Sequence, residues 1–145
     1  MTIKISSRTV INRQQTEVWN FIANFDNAPL WMPGVNLVKQ LDEGELGRGS
    51  TLQFELRDGS DQQLVSYWEP GKSFTLSYDQ ASNSSDSSYK LESQADKTVL
   101  NLDISLKTQG VRLLLLPFTI WSIKSNASKR LENIKRSLEV DSNQV

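Results

Sequence analysis

NRQQTEVWNFIANFDNAPLWMPGV, residues 12–35, reads as a helix that marks its own start and then breaks at an aromatic corner. Asn12 stands at an N-cap position, and Gln15, three residues on, is placed to reach back and close a capping box. Val18, Phe21 or Ile22, and Phe25 recur at spacings of three and four, the apolar stripe of a helix lying on a surface. Asp26-Asn27-Ala28-Pro29 ends that helix, because proline disfavours a helical residue before it. Trp31, Met32, Pro33 and Gly34 then form a corner too large and too apolar for an ordinary exposed loop.

Upstream, Thr2 to Ile11 alternates, with Ile3, Ile5, Ser7, Thr9 and Ile11 on one parity, which reads as a strand feeding into the helix. Downstream, Asn36 to Leu41 is a second short strand, and Glu43 to Gly49 is a turn whose glycines supply left-handed backbone. From there to Lys107 the period is two. Leu52, Phe54 and Leu56 alternate with polar neighbours, as do Phe74, Leu76 and Tyr78. The same holds for Tyr89 and Leu91, and for Leu100, Leu102, Ile104 and Leu106. One apolar and one polar face is the pattern of an antiparallel sheet wetted on one side. Asp58-Gly59, Pro70-Gly71, the serine-rich Ala81 to Ser88 and Ala95-Asp96-Lys97 read as links between strands. Gln62 to Glu69 departs from the rule, since Leu64, Val65, Tyr67 and Trp68 put apolar groups on both faces. Such a strand is covered on both sides or carries a bulge.

The last stripe is helical. Leu116, Ile120, Ile123, Ala127, Leu131, Ile134 and Leu138 recur at threes and fours, a helix from Leu116 to Glu139 about 36 Å long. Pro117 fits its first turn or marks a kink. Lys124, Lys129, Arg130, Lys135 and Arg136, interleaved with Glu132 and Glu139, read as a solvated face. The order of elements gives an α+β architecture in one domain, residues 1–145, structured over about 3–140 with 141–145 as a tail.

Composition removes whole classes of chemistry. Lys and Arg number 16 against 17 Asp and Glu, a net charge of −1, which favours neither nucleic acid nor an anionic membrane. With no cysteine there is no disulfide, thiolate nucleophile or sulfur-ligated metal. With no histidine there is no Ser-His-Asp triad and no histidine-based metal site, so neither metal nor cofactor is expected. The N-terminus lacks a secretory pattern, and the apolar run from Val111 to Ile123 is far short of the ~20 residues that span a bilayer. The expectation is a cytoplasmic protein with no stable membrane insertion, a monomer or homodimer. The strand carboxylates Glu55, Glu92 and Asp103 fall on the polar parity, and the turn at Gly44, Gly47 and Gly49 opens no helix, so it lacks a phosphate-cradling context.

This order of elements resembles the START-like superfamily with its helix-grip fold, and within it the polyketide cyclase/dehydrase and lipid-transport branch. The resemblance runs from Ile3 to about Val140. It rests on Val18-Trp19, Phe25, Trp31 with Gly34-Val35, the glycine-rich turn and the terminal helix. It implies a curved antiparallel sheet of about seven strands wrapped around the long helix. Two short helices would follow the first strand, and a hydrophobic cavity would lie between sheet and helix.

Apolar residues at strand and helix periods otherwise fill a core, because interiors are close-packed. The resemblance instead implies a ligand cavity of the usual ~300–1,000 Å³. Its expected walls are Phe21, Phe25, Trp31, Phe54, Trp68, Phe74, Tyr78, Tyr89, Ile104, Leu114, Phe118 and Trp121, with the Trp31–Gly34 corner and Leu113–Phe118 as its gate. Tyr78 and Tyr89 share the inward parity, and their hydroxyls either orient a ligand or bond to the backbone. Asp26 and Asn27 read as helix-end residues. The expected function is binding of a hydrophobic small molecule: a lipid, an isoprenoid, or an aromatic, polyketide-like compound. The alternatives are a cyclase or dehydratase working without histidine, cysteine or metal, and an interaction module that presents Leu113–Trp121 to a protein or a membrane.

Overall fold

Strand alternation sets the sheet. The computed structural model describes residues 2–80, 83–108 and 116–141, apart from the side chains of Thr108, residues 116–120 and Asp141. Residues 113–115 of the expected gate, Leu114 among them, and 142–145 of the expected tail lie outside the described residues, as does the side chain of Phe118, while Asp141 still belongs to the last helix. The elements are β1 (Thr2–Ile11), α1 (Gln15–Ile22), a 3-10 turn (Phe25–Asn27), α2 (Ala28–Trp31), β2 (Val35–Gln40) and β3 (Thr51–Leu56). There follow β4 (Gly59–Glu69), β5 (Ser73–Gln80), β6 (Asn83–Gln94), β7 (Lys97–Thr108) and α3 (Leu116–Asp141). The seven strands form one antiparallel sheet in the order β1-β7-β6-β5-β4-β3-β2. This is the helix-grip arrangement: a curved sheet, two short helices after the first strand, and a long terminal helix.

The apolar parity of each strand faces the helices. Ile3, Ile5, Leu52, Phe54, Phe74, Leu76, Tyr89, Leu91, Leu100, Leu102 and Ile104 are all buried. From α3, Ala127, Leu131, Ile134 and Leu138 complete the core. The helix is also tied down by polar bonds. Lys135 Nζ donates to the Val10 carbonyl (2.6 Å), Asn133 Nδ2 to that of Trp31 (3.3 Å), and Arg13 Nη2 to that of Glu139 (3.2 Å).

Several sequence expectations are corrected. The first helix does not run from an Asn12 cap to Phe25. It starts at Gln15 behind an N-cap at Gln14 whose side chain makes no capping bond. Gln15 instead donates from Nε2 to the Gly71 carbonyl (2.7 Å), so the residue assigned to a capping box docks α1 on the β4–β5 turn. That turn, Glu69-Pro70-Gly71-Lys72, places Gly71 at φ 81°, and the Lys72 N–H bonds the Glu69 carbonyl (3.0 Å), as a proline-then-glycine turn requires. Pro29 opens the short α2 rather than ending the first helix, because proline fits a first helical turn. Asn27 does serve a helix end: its Nδ2 donates to the Phe21 carbonyl (3.0 Å).

The serine-rich segment is also not a link. Asn83 to Ser88 belongs to β6, paired with β5 and β7 along its length. Its serines persist in a strand because their hydroxyls find partners across the sheet. Thr75 and Ser88 bond through their hydroxyls (2.8 Å), while Ser77 donates to Asp86 (2.6 Å) and also pairs with Ser66 (2.7 Å). The irregular strand does carry a bulge, between Val65 and Tyr67. One extra residue shifts the parity, so Val65 and the half-buried Trp68 face inward while Leu64 and Tyr67 stay exposed.

Docking of α3 is testable by truncation. Leu131→Ala and Ile134→Ala, at positions 2% and 0% exposed, should each cost about 2–5 kcal/mol in urea unfolding. Lys129→Ala, on the exposed side, should stay within about 0.5 kcal/mol. Equal costs for all three would contradict the docking described.

Candidate functional site

Aromatic packing divides the space between sheet and helices into two parts. Phe74, fully buried on β5, is the hub of the filled part. Its ring stacks on Tyr89 (centroids 4.9 Å apart) and meets Trp19 (5.8 Å), Phe25 (5.5 Å) and Trp68 (5.8 Å). Trp19 packs edge-on against Trp68 at 5.1 Å, and Trp31 against Tyr89 at 5.4 Å. Such pairs add about 0.5–1.5 kcal/mol each beyond their buried area. Trp31, Phe74 and Tyr89 are wholly inaccessible.

Beyond Tyr89 the packing stops. A cavity of about 270 Å³ is lined by Phe54, Leu56 and Leu76, by Tyr78 and Tyr89, and by Met32, Pro33 and Val35 from the corner. Asp61, Gln63, Ser85, Ser87 and Arg130 complete the lining. It shares Met32, Pro33, Val35, Leu56, Asp61 and Tyr78 with an outer groove of about 830 Å³, which continues over Pro29, Gly34, Arg57 and Asn133.

The expected wall residues therefore separate. Phe54, Tyr78 and Tyr89 line the cavity. Phe25, Trp31, Trp68 and Phe74 belong to the aromatic cluster, and the half-buried Phe21 packs against the same core. Ile104 is buried opposite Ser87 in the β6–β7 register. Trp121 is 65% exposed.

Polar residues that the sequence pattern passed over are central to the cavity. Arg130 is half-buried and not part of a solvated face. Its Nη1 donates to the Tyr89 hydroxyl (2.9 Å), and its Nε to Asn126 Oδ1 (2.7 Å). The signal was present: Arg130 lies three residues after Ala127 and four before Ile134, on the buried stripe. Asp61 sits opposite Phe54 in the β3–β4 register, and directly opposed residues share a face of the sheet. Ser85 and Ser87 pair with Tyr78 and Leu76, and face inward for the same reason.

Burial raises the Asp61 carboxyl above its ordinary value, with the Gln63 side chain opposing the shift in part. Its Oδ1 is buried without a hydrogen-bond partner, as is Trp31 Nε1. Among the described residues no three acidic side chains come together in a way that would hold a metal ion. Among those residues, too, no helix is long and apolar enough to cross a membrane.

Fold and cavity together define a helix-grip domain with a small amphipathic chamber. The chain belongs to the polyketide cyclase / dehydrase and lipid transport family, whose sequence profile matches residues 2–139. No curated protein sequence matches it. Among solved structures it is similar to the di-domain ARO/CYC BexL from the BE-7585A biosynthetic pathway, with TM-score 0.78 and 14% identity over 97% of this chain and 48% of that one. The di-domain ARO/CYC StfQ from the steffimycin biosynthetic pathway matches with TM-score 0.78 and 11% identity, covering 99% of this chain and 52% of StfQ. A START superfamily protein from Mycobacterium smegmatis matches with TM-score 0.67 and 18% identity over 97% of both chains. The chain thus spans about half the length of the two di-domain proteins. At these identities the likeness establishes the fold. The family match supports a ligand-binding or cyclase role.

The state of Asp61 has a consequence for stability. Its folded pKa is raised, so on raising the pH the unfolded chain releases this proton first. Folding is then disfavoured from about pH 4 upward, and the penalty is complete above the raised folded pKa. Asp61→Asn should therefore raise the urea midpoint at pH 7, with the gain closing as the pH falls below about 4. A gain that persists unchanged at low pH would show that the carboxyl is not perturbed.

Proposed function

We propose that this chain binds a hydrophobic small molecule in the chamber beside Tyr89, with the Met32–Pro33 corner as its access route. The observation that carries this reading is the composition of the lining. Apolar walls from Phe54, Leu56, Leu76 and Val35 stand beside at least as many polar groups, Asp61, Gln63, Ser85, Ser87 and Arg130 among them, so the lining suits a ligand with an apolar body and several polar atoms. The inner volume, about 270 Å³, is just under the common ~300–1,000 Å³, and the adjoining groove extends it. A lipid tail, an isoprenoid or an aromatic, polyketide-like body would lie on the apolar walls, with the polar groups fixing its orientation. Leu114 and Phe118 belong to this proposal only through the family resemblance, and the strongly exposed Trp121 has no part in it.

One observation favours a cyclase or dehydratase as the second reading. Asp61 and the Tyr78 and Tyr89 hydroxyls all line one chamber, and carboxyl and phenol are groups that can exchange protons without histidine. Titration with a fluorescent apolar probe, together with native mass spectrometry of freshly purified protein, tests for binding. Turnover of polyketide-like and isoprenoid substrates tests the alternative.

For a binder, Tyr78→Phe should weaken affinity roughly two- to tenfold, the loss of one neutral hydrogen bond. For an enzyme that uses this tyrosine as a general acid, the same change should cut the rate by about 10²–10⁴ at nearly constant affinity. The expected result is binding without turnover. Wild-type turnover that collapses in Tyr78→Phe, Tyr89→Phe or Asp61→Asn would replace the binding reading with the enzymatic one.

A further inference from the structure

Two opposite charges face the chamber without neutralising each other. Asp61 and Arg130 both line it, yet among the described residues no ion pair includes either side chain. A guanidinium has five N–H donors, and here Nη1 and Nε reach only the neutral acceptors Tyr89 Oη and Asn126 Oδ1. Asp61 Oδ1 is buried without a hydrogen-bond partner. A buried acceptor left in this state costs stability, and a charged one costs more than a neutral one. The neighbouring inward positions on the same sheet hold the buried apolar residues Phe54, Leu76 and Val65 instead. The chamber thus holds one buried, unpartnered acceptor on β4, facing a space that also holds a guanidinium from α3 bonded only to neutral acceptors.

We infer that the ligand is an uncharged apolar molecule with a hydroxyl at one position and a carbonyl at another. The hydroxyl donates to Asp61 Oδ1, and the carbonyl oxygen accepts from the Arg130 guanidinium. This rests on the binding reading above and names the ligand class for that site. Charge excludes the simpler candidates. An organic cation would gain Asp61 but meet Arg130 in the same small space, and a carboxylate would gain Arg130 but meet Asp61. A neutral hydroxy-carbonyl compound satisfies both at once and lays its apolar body on Phe54, Leu56 and Leu76. Tyr89 then acts as a positioning residue by holding the guanidinium, and Tyr78 presents its hydroxyl to the ligand directly.

Equilibrium dialysis with naphthalene probes tests this on the intact chain. The probes are 6-hydroxy-2-acetonaphthone and its 7-hydroxy isomer, 2-acetonaphthone, 2-naphthol, 2-methylnaphthalene, 2-naphthoate and 2-naphthylmethylammonium. One of the hydroxy-ketones should bind tightest in the wild type, by about tenfold over either single-function probe, the scale of a hydrogen bond to a charged group. In Asp61→Ala the advantage of hydroxy-ketone over ketone should vanish. In Arg130→Met the advantage of hydroxy-ketone over naphthol should vanish. The wild-type ranking alone decides the matter if a variant fails to fold. Equal affinity for all neutral probes would overturn the inference and leave hydrophobic binding standing. Preference for the carboxylate or the ammonium would overturn the uncharged ligand. Binding of none of the probes would overturn both the inference and the binding reading.

Discussion

The hydrogen bond from Arg130 to the Tyr89 hydroxyl, 2.9 Å long, marks where the core ends and the chamber begins. The Tyr89 ring has no freedom, since it is stacked on Phe74 and met edge-on by Trp31. Its hydroxyl must then appear at a fixed point and find a partner, because a buried phenol without one loses the hydrogen bond it made to water. The partner comes from α3, whose position is fixed by Leu131 and Ile134 on the sheet and by Asn133 on α2. Sheet, short helix and long helix thus agree at one atom pair. An apolar residue in place of Arg130 would leave the phenol unpartnered and remove the cation from the chamber.

The chamber is polar at one end because of where polar residues fall on the inward parity. On β4, Asp61, Gln63 and Val65 face inward in turn, and the bulge then brings Trp68 to the same side. The strand therefore begins as a chamber wall and finishes in the aromatic cluster. Serines precede Tyr89 on β6 in the same way, with Ser85 and Ser87 at the chamber and Tyr89 and Leu91 in the core. The transition from polar to apolar runs across adjacent strands at about the same level, which keeps the chamber to one end of the sheet.

The strands, their alternation and the stripe of α3 were legible because each depends on apolar residues recurring at a fixed period. The chamber was not, since its informative residues are the polar ones at inward positions, and these look like solvent-facing residues until the register is known. Asp61 escaped because β4 begins at Gly59, earlier than its apolar residues indicate, and Arg130 because a basic residue among lysines resembles a helix surface. Trp19 was noted only as part of the resemblance, yet it joins Trp68 to Phe74. The misplaced cap at Asn12 has a different cause. Capping patterns are local, whereas the start of α1 is set by Gln15 reaching a turn far away in sequence. Serine content misled in β6 because turn propensity is a local prior that cross-strand hydroxyl pairing overrides.

Shared fold and shared chemistry need not coincide in this family. Proteins matching this chain at 11–18% identity keep the sheet and the helix while almost every side chain is free to differ. What a member binds is then set by the few inward positions that the core does not claim. In this chain those positions hold a carboxyl group with one oxygen buried and unpartnered, and a guanidinium bonded only to neutral acceptors. A sequence selected for stability alone would have filled them with apolar residues, as it did a few ångströms away around Phe74. Local choices that oppose the general consistency of a fold are expected at functional sites. Here they coincide with a place where aromatic packing gives way to open volume. The chamber's polar lining therefore has no explanation in what it contributes to folding.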